Sequence, residues 1–92
     1  MKNAENKIEE IRTSNESNKS QAYLTACDGM EKQVTEILRE KKELGFICKK
    51  FAEEVSLNYK KAQSADCEYG VYAAAHSAAS YMDMFIQHSS KY

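Results

Sequence analysis

Residues from Tyr23 to Ala62 repeat at alternating intervals of four and three, which is the heptad spacing of helices that pack along a common seam. Two of the twelve seam positions, Lys41 and Asn58, are strongly polar. Single polar residues at such positions fix the register and the number of strands in a coiled coil. The spacing therefore predicts one helix over residues 21–62, about 63 Å long if unbroken. The twelve positions are Tyr23, Cys27, Met30, Val34, Ile37, Lys41, Leu44, Cys48, Phe51, Val55, Asn58 and Ala62.

Gly45 interrupts this pattern and leaves two arrangements open. Glycine inside a helix costs about 1 kcal/mol relative to alanine, and it suits the position just beyond a helix C-terminus. A break there would give helices at about 21–43 and 46–62, and hence a monomeric three-helix bundle. Because the heptad phase passes through Gly45 without a slip, the sequence favours the continuous helix.

Polar segments bound the predicted helices at both ends of the chain. Residues 1–20 are rich in Asn, Ser, Lys and Glu, and we expect them to form a flexible N-terminal arm. A second break is expected at Gln63–Asp66, where Ser64 can cap the next helix. The last helix is predicted at about 65–88 with a broad apolar face, followed by a frayed tail at 89–92. Residues 21–88 are thus expected to form a single helical domain.

The predicted fold is all-α. A long heptad-patterned helix and a shorter C-terminal helix folded back beside it would form a helical hairpin. Two hairpins would then pair through the seam into a dimeric four-helix bundle. A chain of 92 residues buries a modest share of its surface, which favours association into a homodimer. The predicted seam and oligomer interface consists of Met30, Val34, Ile37, Leu44, Cys48, Phe51 and Val55.

Composition excludes several classes of protein. The net charge of −1 gives no general attraction to nucleic acid or to an acidic membrane. The longest apolar stretch, residues 71–75, is far shorter than the ~20 residues that a membrane span needs. Without the apolar core of a secretion signal near the N-terminus, we expect a cytoplasmic protein that does not bind membranes. The three cysteines have no metal-ligand spacing and are expected to be reduced and buried.

The sequence contains no pattern that indicates an enzyme. Phosphate-binding glycine loops, the serine-hydrolase elbow, zinc-protease histidine pairs and calcium loops are all absent from it. We therefore expect no catalytic residues, no cofactor and no metal. A weaker signal for nucleic acid exists, because Lys42, Lys49 and Lys60 would line one side of a continuous helix. Interleaved acidic residues oppose that interpretation.

The function favoured by the sequence is that of a small protein-binding module, such as an adaptor, an inhibitor or a chaperone-like accessory protein. A small DNA-associated regulator and a purely structural coiled-coil module are the alternatives. The overall make-up loosely resembles small accessory proteins of bacteriophages or mobile elements, without a motif that carries the likeness. The expected partner is another protein of unknown identity. The predicted partner surface consists of Tyr81, Met84, Phe85 and Tyr92, because aromatic residues and Met are enriched at interfaces.

Overall fold

The computed structural model describes residues 3–91, and its regular elements are four α-helices. This part of the chain contains no strand, so the predicted all-α class is confirmed. The arrangement is not the predicted single hairpin, because the chain reverses three times rather than once. The helices are α1 (Asn3–Arg12), α2 (Lys19–Glu40), α3 (Phe46–Ser64) and α4 (Glu68–Ser89).

Helix α4 organises the bundle because it packs against each of the other three helices. Helix α2 also contacts both α1 and α3, whereas α1 and α3 do not touch one another within residues 3–91. The pair α2/α4 therefore lies in the middle, with α3 along one side and the shorter α1 along the other. The bundle measures 41 × 24 × 17 Å along its principal axes.

The core runs between all four helices and is closed by large side chains from each of them. Ile8 of α1, Tyr23 of α2, Val55 of α3 and Phe85 of α4 are at most 1% exposed. Each such side chain contributes roughly 1.5–3 kcal/mol when it leaves water. The alanines of α4 at positions 75, 78 and 79 are fully buried, and their small size lets the neighbouring helices approach closely.

The predicted continuity through Gly45 is wrong, since residues 41–45 form a link between α2 and α3. Lys41 has extended backbone at the end of α2, and Gly45 is the extended N-cap residue of α3. Two contacts hold the link: the Lys41 Nζ donates to the backbone carbonyl of Ser89 at 2.9 Å, and Leu44 is buried in the core. The chain thus turns at Gly45, as in the alternative arrangement.

The segment that was expected to be a flexible arm contains α1. Ala4 and Ile8 are buried against α2 and α4, and Ile11 packs beside them. These three residues lie at intervals of four and three, so a very polar helix still has one narrow apolar stripe. Thr13 donates through Oγ1 to the carbonyl of Glu9 near the end of α1.

Capping side chains set the N-terminal boundaries of α2 and α4. Asn18 caps α2, its Oδ1 accepting a hydrogen bond from the N–H of Gln21 at 3.1 Å. Helix α4 begins within three residues of its predicted start, but Cys67 rather than Ser64 is its N-cap. The Cys67 Sγ accepts a hydrogen bond from the N–H of Gly70 at 3.4 Å. None of the described helices combines the length and the apolar character required to cross a bilayer.

Candidate functional site

The structure places the predicted seam residues inside one chain. Five of them are buried at 6% exposure or less, and Ile37 and Phe51 pack against the core from its edge. Buried side chains of this kind already contact neighbouring helices of the same molecule, so they present little surface to a second subunit. The use of the seam as an oligomer interface stays a prediction. The five buried residues are Met30, Val34, Leu44, Cys48 and Val55.

The four residues of the predicted partner surface differ in their exposure to solvent. Phe85 is 0% exposed, and its assignment to a surface is wrong because it faces the core of the bundle. Tyr81 and Met84 are half-buried and reach solvent along the outer side of α4. Tyr92 lies outside the described residues. Two of the four are therefore accessible in the structure, and they lie one helical turn apart.

Tyr81 and Met84 belong to a mixed aromatic and apolar surface between α3 and α4. The Phe51 ring lies 6.2 Å from the ring of Tyr81 and 5.1 Å from that of His88, centroid to centroid. Tyr81, Met84 and His88 share one side of α4 because they are spaced by three and four residues. We name this surface the α3/α4 face, and it consists of Ile47, Phe51, Tyr81, Met84 and His88.

Ile47 extends this surface into solvent. It precedes Phe51 by four residues, so the two side chains project from the same side of α3. Ile47 is 59% exposed, and the adjacent Phe46 is 82% exposed. The heptad pattern indicated neither residue as exposed, because they open α3 only when the chain turns at Gly45. Recognition of that turn would have placed two large apolar side chains at an exposed helix start.

His88 is the polar member of the α3/α4 face. Its Nδ1 lies 2.9 Å from the backbone carbonyl of Met84, and a carbonyl can only accept, so Nδ1 carries the proton in this contact. The same bond fixes the ring edge-on against Phe51. In the neutral ring Nε2 is then an acceptor, which gives an otherwise apolar surface one polar group that can orient a partner.

A second cluster joins α1 to α4 on the other side of the bundle. The Glu9 carboxylate accepts from Arg12 Nε at 2.6 Å and from the Tyr72 hydroxyl at 3.0 Å. These two hydrogen bonds, chiefly that from Arg12, lower the pKa of Glu9. Desolvation, followed by the hydrogen bond to Glu9, raises the pKa of Tyr72. The Arg12 guanidinium also lies 6.0 Å from the centre of the Tyr72 ring. The cluster uses its polar atoms internally, so its evident role is to hold α1 in place.

An open cavity of about 710 Å³ lies beside the first turns of α1, between α2 and the last turns of α4. Its floor is apolar, and polar side chains surround its mouth. Neither the sequence pattern nor any motif indicated it, because its lining comes from three separate helices. The floor residues are Ala4, Ala26, Met30, Met82 and Ile86, the exposed Gly29 lies in the wall, and the mouth residues are Asn3, Lys7, Thr25, Gln33, Asp83, Gln87 and Ser90.

The predicted lysine stripe is not continuous, because the helix that would carry it is broken. Lys42 lies in the link between α2 and α3, while Lys49 and Lys60 lie on α3. Lys50, next to Lys49, forms an ion pair with Glu53 at 3.6 Å. Acidic side chains thus interrupt the positive charge on this side, and the structure offers no unbroken basic surface along α3.

The described residues contain no group of three or more His, Cys, Asp or Glu side chains placed to hold a metal ion. The cysteines are all unpaired; Cys27 and Cys48 are buried and Cys67 is exposed. The exposed Cys67 departs from the expectation that every cysteine is buried, because its thiol caps α4 at the surface. A comparison of the chain with protein-family models found no match, and comparisons with curated proteins and with solved structures found none either.

Proposed function

We propose that the chain is a small, non-enzymatic protein-binding module of the cytoplasm that docks on another protein through its α3/α4 face. The observation that carries this proposal is the exposure of Ile47, at 59%, one helical turn before the Phe51 ring that contacts Tyr81 and His88. The function would be that of an adaptor, an inhibitor or a chaperone-like accessory protein.

The composition of the α3/α4 face supports a protein partner. Aromatic residues and Met are enriched at the centres of protein interfaces, and charged residues are depleted there. Large apolar side chains that remain exposed together on a small domain are a common mark of a binding surface. Phe46 adds a further exposed ring at the edge of the face. By contrast, the outer side of α1 and α2 presents mainly charged and amide side chains.

The shape of the face favours a helical partner. Helices α3 and α4 are joined by residues 65–67 only and pack against each other, and the ridges of side chains on packed helices leave grooves between them. An amphipathic helix binds such a groove with apolar side chains at intervals of three and four residues. Phe51 is half-buried on this face, and its ring contacts Tyr81 and His88 of α4.

The two alternative functions have less support. A DNA-associated regulator needs a positive surface that follows phosphates, and Glu53 interrupts the lysines of α3. A structural coiled-coil module needs seam residues that are exposed on the single chain and can pack against another copy. Val55 and Cys48 are instead buried within one chain. A homodimer through the α3/α4 face is a related arrangement, in which the partner is a second copy of the chain.

A site-directed photo-crosslinking experiment tests the proposal. The photoreactive residue p-benzoylphenylalanine replaces Ile47 in one variant and Lys32 in another. Lys32 is an exposed residue of α2 that is not part of the α3/α4 face, and it serves as the matched control. Both variants are irradiated in cells that express the chain, and adducts are identified by mass. Thermal melts of both variants establish that the fold is intact.

The proposal expects one dominant adduct with another protein from position 47 and none from position 32. Loss of that adduct on the additional change Tyr81→Glu would place the contact on the α3/α4 face. An adduct of twice the chain's mass would favour self-association instead. Equal labelling from both positions, or no adduct from position 47, would refute the proposal. Binding to duplex DNA that weakens steeply with salt would favour the regulator.

A further inference from the structure

The cavity beside α1 has the dimensions and the lining of a small-ligand site. Its volume of about 710 Å³ falls within the ~300–1,000 Å³ typical of ligand pockets. Met30 and Met82, at 6% and 2% exposure, form the deepest part of its floor. Methionine side chains are flexible and adjust to differently shaped apolar groups. The site is separate from the α3/α4 face, because α1 and α3 lie on opposite sides of the α2/α4 pair.

Gly29 lines the cavity without any requirement from the backbone for a glycine. It lies in the interior of α2, where glycine costs about 1 kcal/mol relative to alanine. Its φ is not positive, so the left-handed region does not demand glycine here. A Cβ added at Gly29 would meet no atom within 4 Å, so close packing does not demand it either. The remaining structural effect of Gly29 is to leave open space in the cavity wall.

The charges at the mouth of the cavity indicate the chemistry of the ligand. The carboxylate of Asp83 is already hydrogen-bonded within the protein, since it accepts from the backbone N–H groups of Ala4 at 2.8 Å and Glu5 at 3.1 Å. Lys7 is exposed and forms no ion pair with residues 3–91. Among the described residues that line the mouth, the ammonium of Lys7 is thus the charged group available to a ligand, and it would bind an anion.

We infer that this cavity binds a small amphipathic anion, with an apolar chain over Met30 and Met82 and an acidic head group on Lys7. A carboxylate with a straight alkyl chain of intermediate length has this chemistry. The polar residues Gln33 and Gln87 at the mouth can donate further hydrogen bonds to the head group.

The test uses the full chain with decanoate, held below its micelle-forming concentration, and uncharged decanol for comparison. Backbone amide NMR spectra locate the bound probe, and titration gives its affinity. Gly29→Leu fills the cavity and should weaken decanoate binding at least about tenfold. Lys7→Gln should weaken decanoate about threefold to fivefold and leave decanol unchanged. Glu36→Leu adds the same side chain elsewhere on α2, and Lys60→Gln removes a remote charge; neither should change binding.

The inference expects amide shifts at Gly29, Gln33 and Gln87, together with the losses described for the two cavity variants. Shifts confined to the α3/α4 face would overturn it, and so would undiminished binding to Gly29→Leu. Equal affinity for decanoate and decanol in the unaltered chain would overturn the assignment of an anionic head group. Because Lys7 is exposed, Lys7→Gln keeps its fold and tests the inference independently of Gly29→Leu.

Discussion

The carboxylate of Asp83 accepts a hydrogen bond from the backbone N–H of Ala4 at 2.8 Å, although the two residues are 79 positions apart. The same carboxylate accepts from the N–H of Glu5 at 3.1 Å. A side chain of α4 thus satisfies the free N–H groups that α1 would otherwise expose at its start. The cap comes from a different helix, so it holds α1 to the bundle as well as ending it.

Asp83→Ala should therefore detach α1 without unfolding the other helices. Loss of an N-cap costs about 1–2 kcal/mol, and a helix of 10 residues is marginal without its contacts. Hydrogen exchange measured by mass spectrometry should show lost protection in residues 3–12 and retained protection in α3. Asp66→Ala, which removes an exposed carboxylate before α4, is the control. Unchanged protection of α1 in Asp83→Ala would contradict the docking role of this carboxylate.

Phe85 and Ile47 should respond in opposite ways to truncation. Phe85→Ala removes a fully buried ring and should lower the free energy of unfolding by about 3–5 kcal/mol. Ile47→Ala removes an exposed side chain and should change it by about 0.5 kcal/mol or less. Urea denaturation followed by circular dichroism measures both. A small effect of Phe85→Ala would restore this residue to the candidate partner surface.

Substitution by alanine should affect the stability of the protein differently at Gly29 and at Gly70. Gly29→Ala should raise the free energy of unfolding by up to about 1 kcal/mol, because alanine favours the helix and the added methyl meets open space. At Gly70 the added Cβ would lie 3.2 Å from the Cβ of Ala65, so this contact should offset the gain. Thermal melts compare the two variants. A destabilised Gly29→Ala would show that the position is more closely packed than the structure indicates.

Because the thiol of Cys27 is buried, we expect the free energy of unfolding to fall in alkaline solution. Burial raises the pKa of its thiol to about 11, so the folded chain keeps the proton that the unfolded chain releases near pH 9. The folded state then binds more protons than the unfolded state, and stability falls as the pH rises from about 9 to about 11. Two pKa units correspond to a contribution of about 3 kcal/mol. Urea melts across this range should show a shallower decline in Cys27→Ala, whose side chain does not titrate.

The periodicity of the sequence predicted which side of each helix is buried, but not where the helices end. Met30, Val34, Cys48 and Val55 are all buried as the heptad spacing indicates. The same spacing failed at Gly45, since two antiparallel helices that face one core can keep a common phase across a short link. Lys41 illustrates the reason: its backbone ends α2 while its side chain reaches the end of α4, a contact that no local pattern encodes.

The features missed in the sequence depend on contacts between distant segments. Helix α1 is stabilised by Asp83 and Tyr72 of α4, and neither interaction is visible in the composition of residues 1–20. The cavity is lined by residues of α1, α2 and α4 that only the folded chain brings together. The exposed pair Phe46 and Ile47 becomes a surface feature only after the turn is placed. The broad apolar face of α4, by contrast, could be predicted from the sequence, because its residues belong to one helix and follow from local spacing.

The position of α4 as the helix that touches all the others has a consequence for folding during synthesis. Helices α1, α2 and α3 leave the ribosome first, at about 5–20 residues per second, and the element that completes their core follows them. A nascent chain that ends before α4 should be open to proteases and to chaperones that bind apolar segments. The bundle should then form in one late, cooperative step rather than helix by helix.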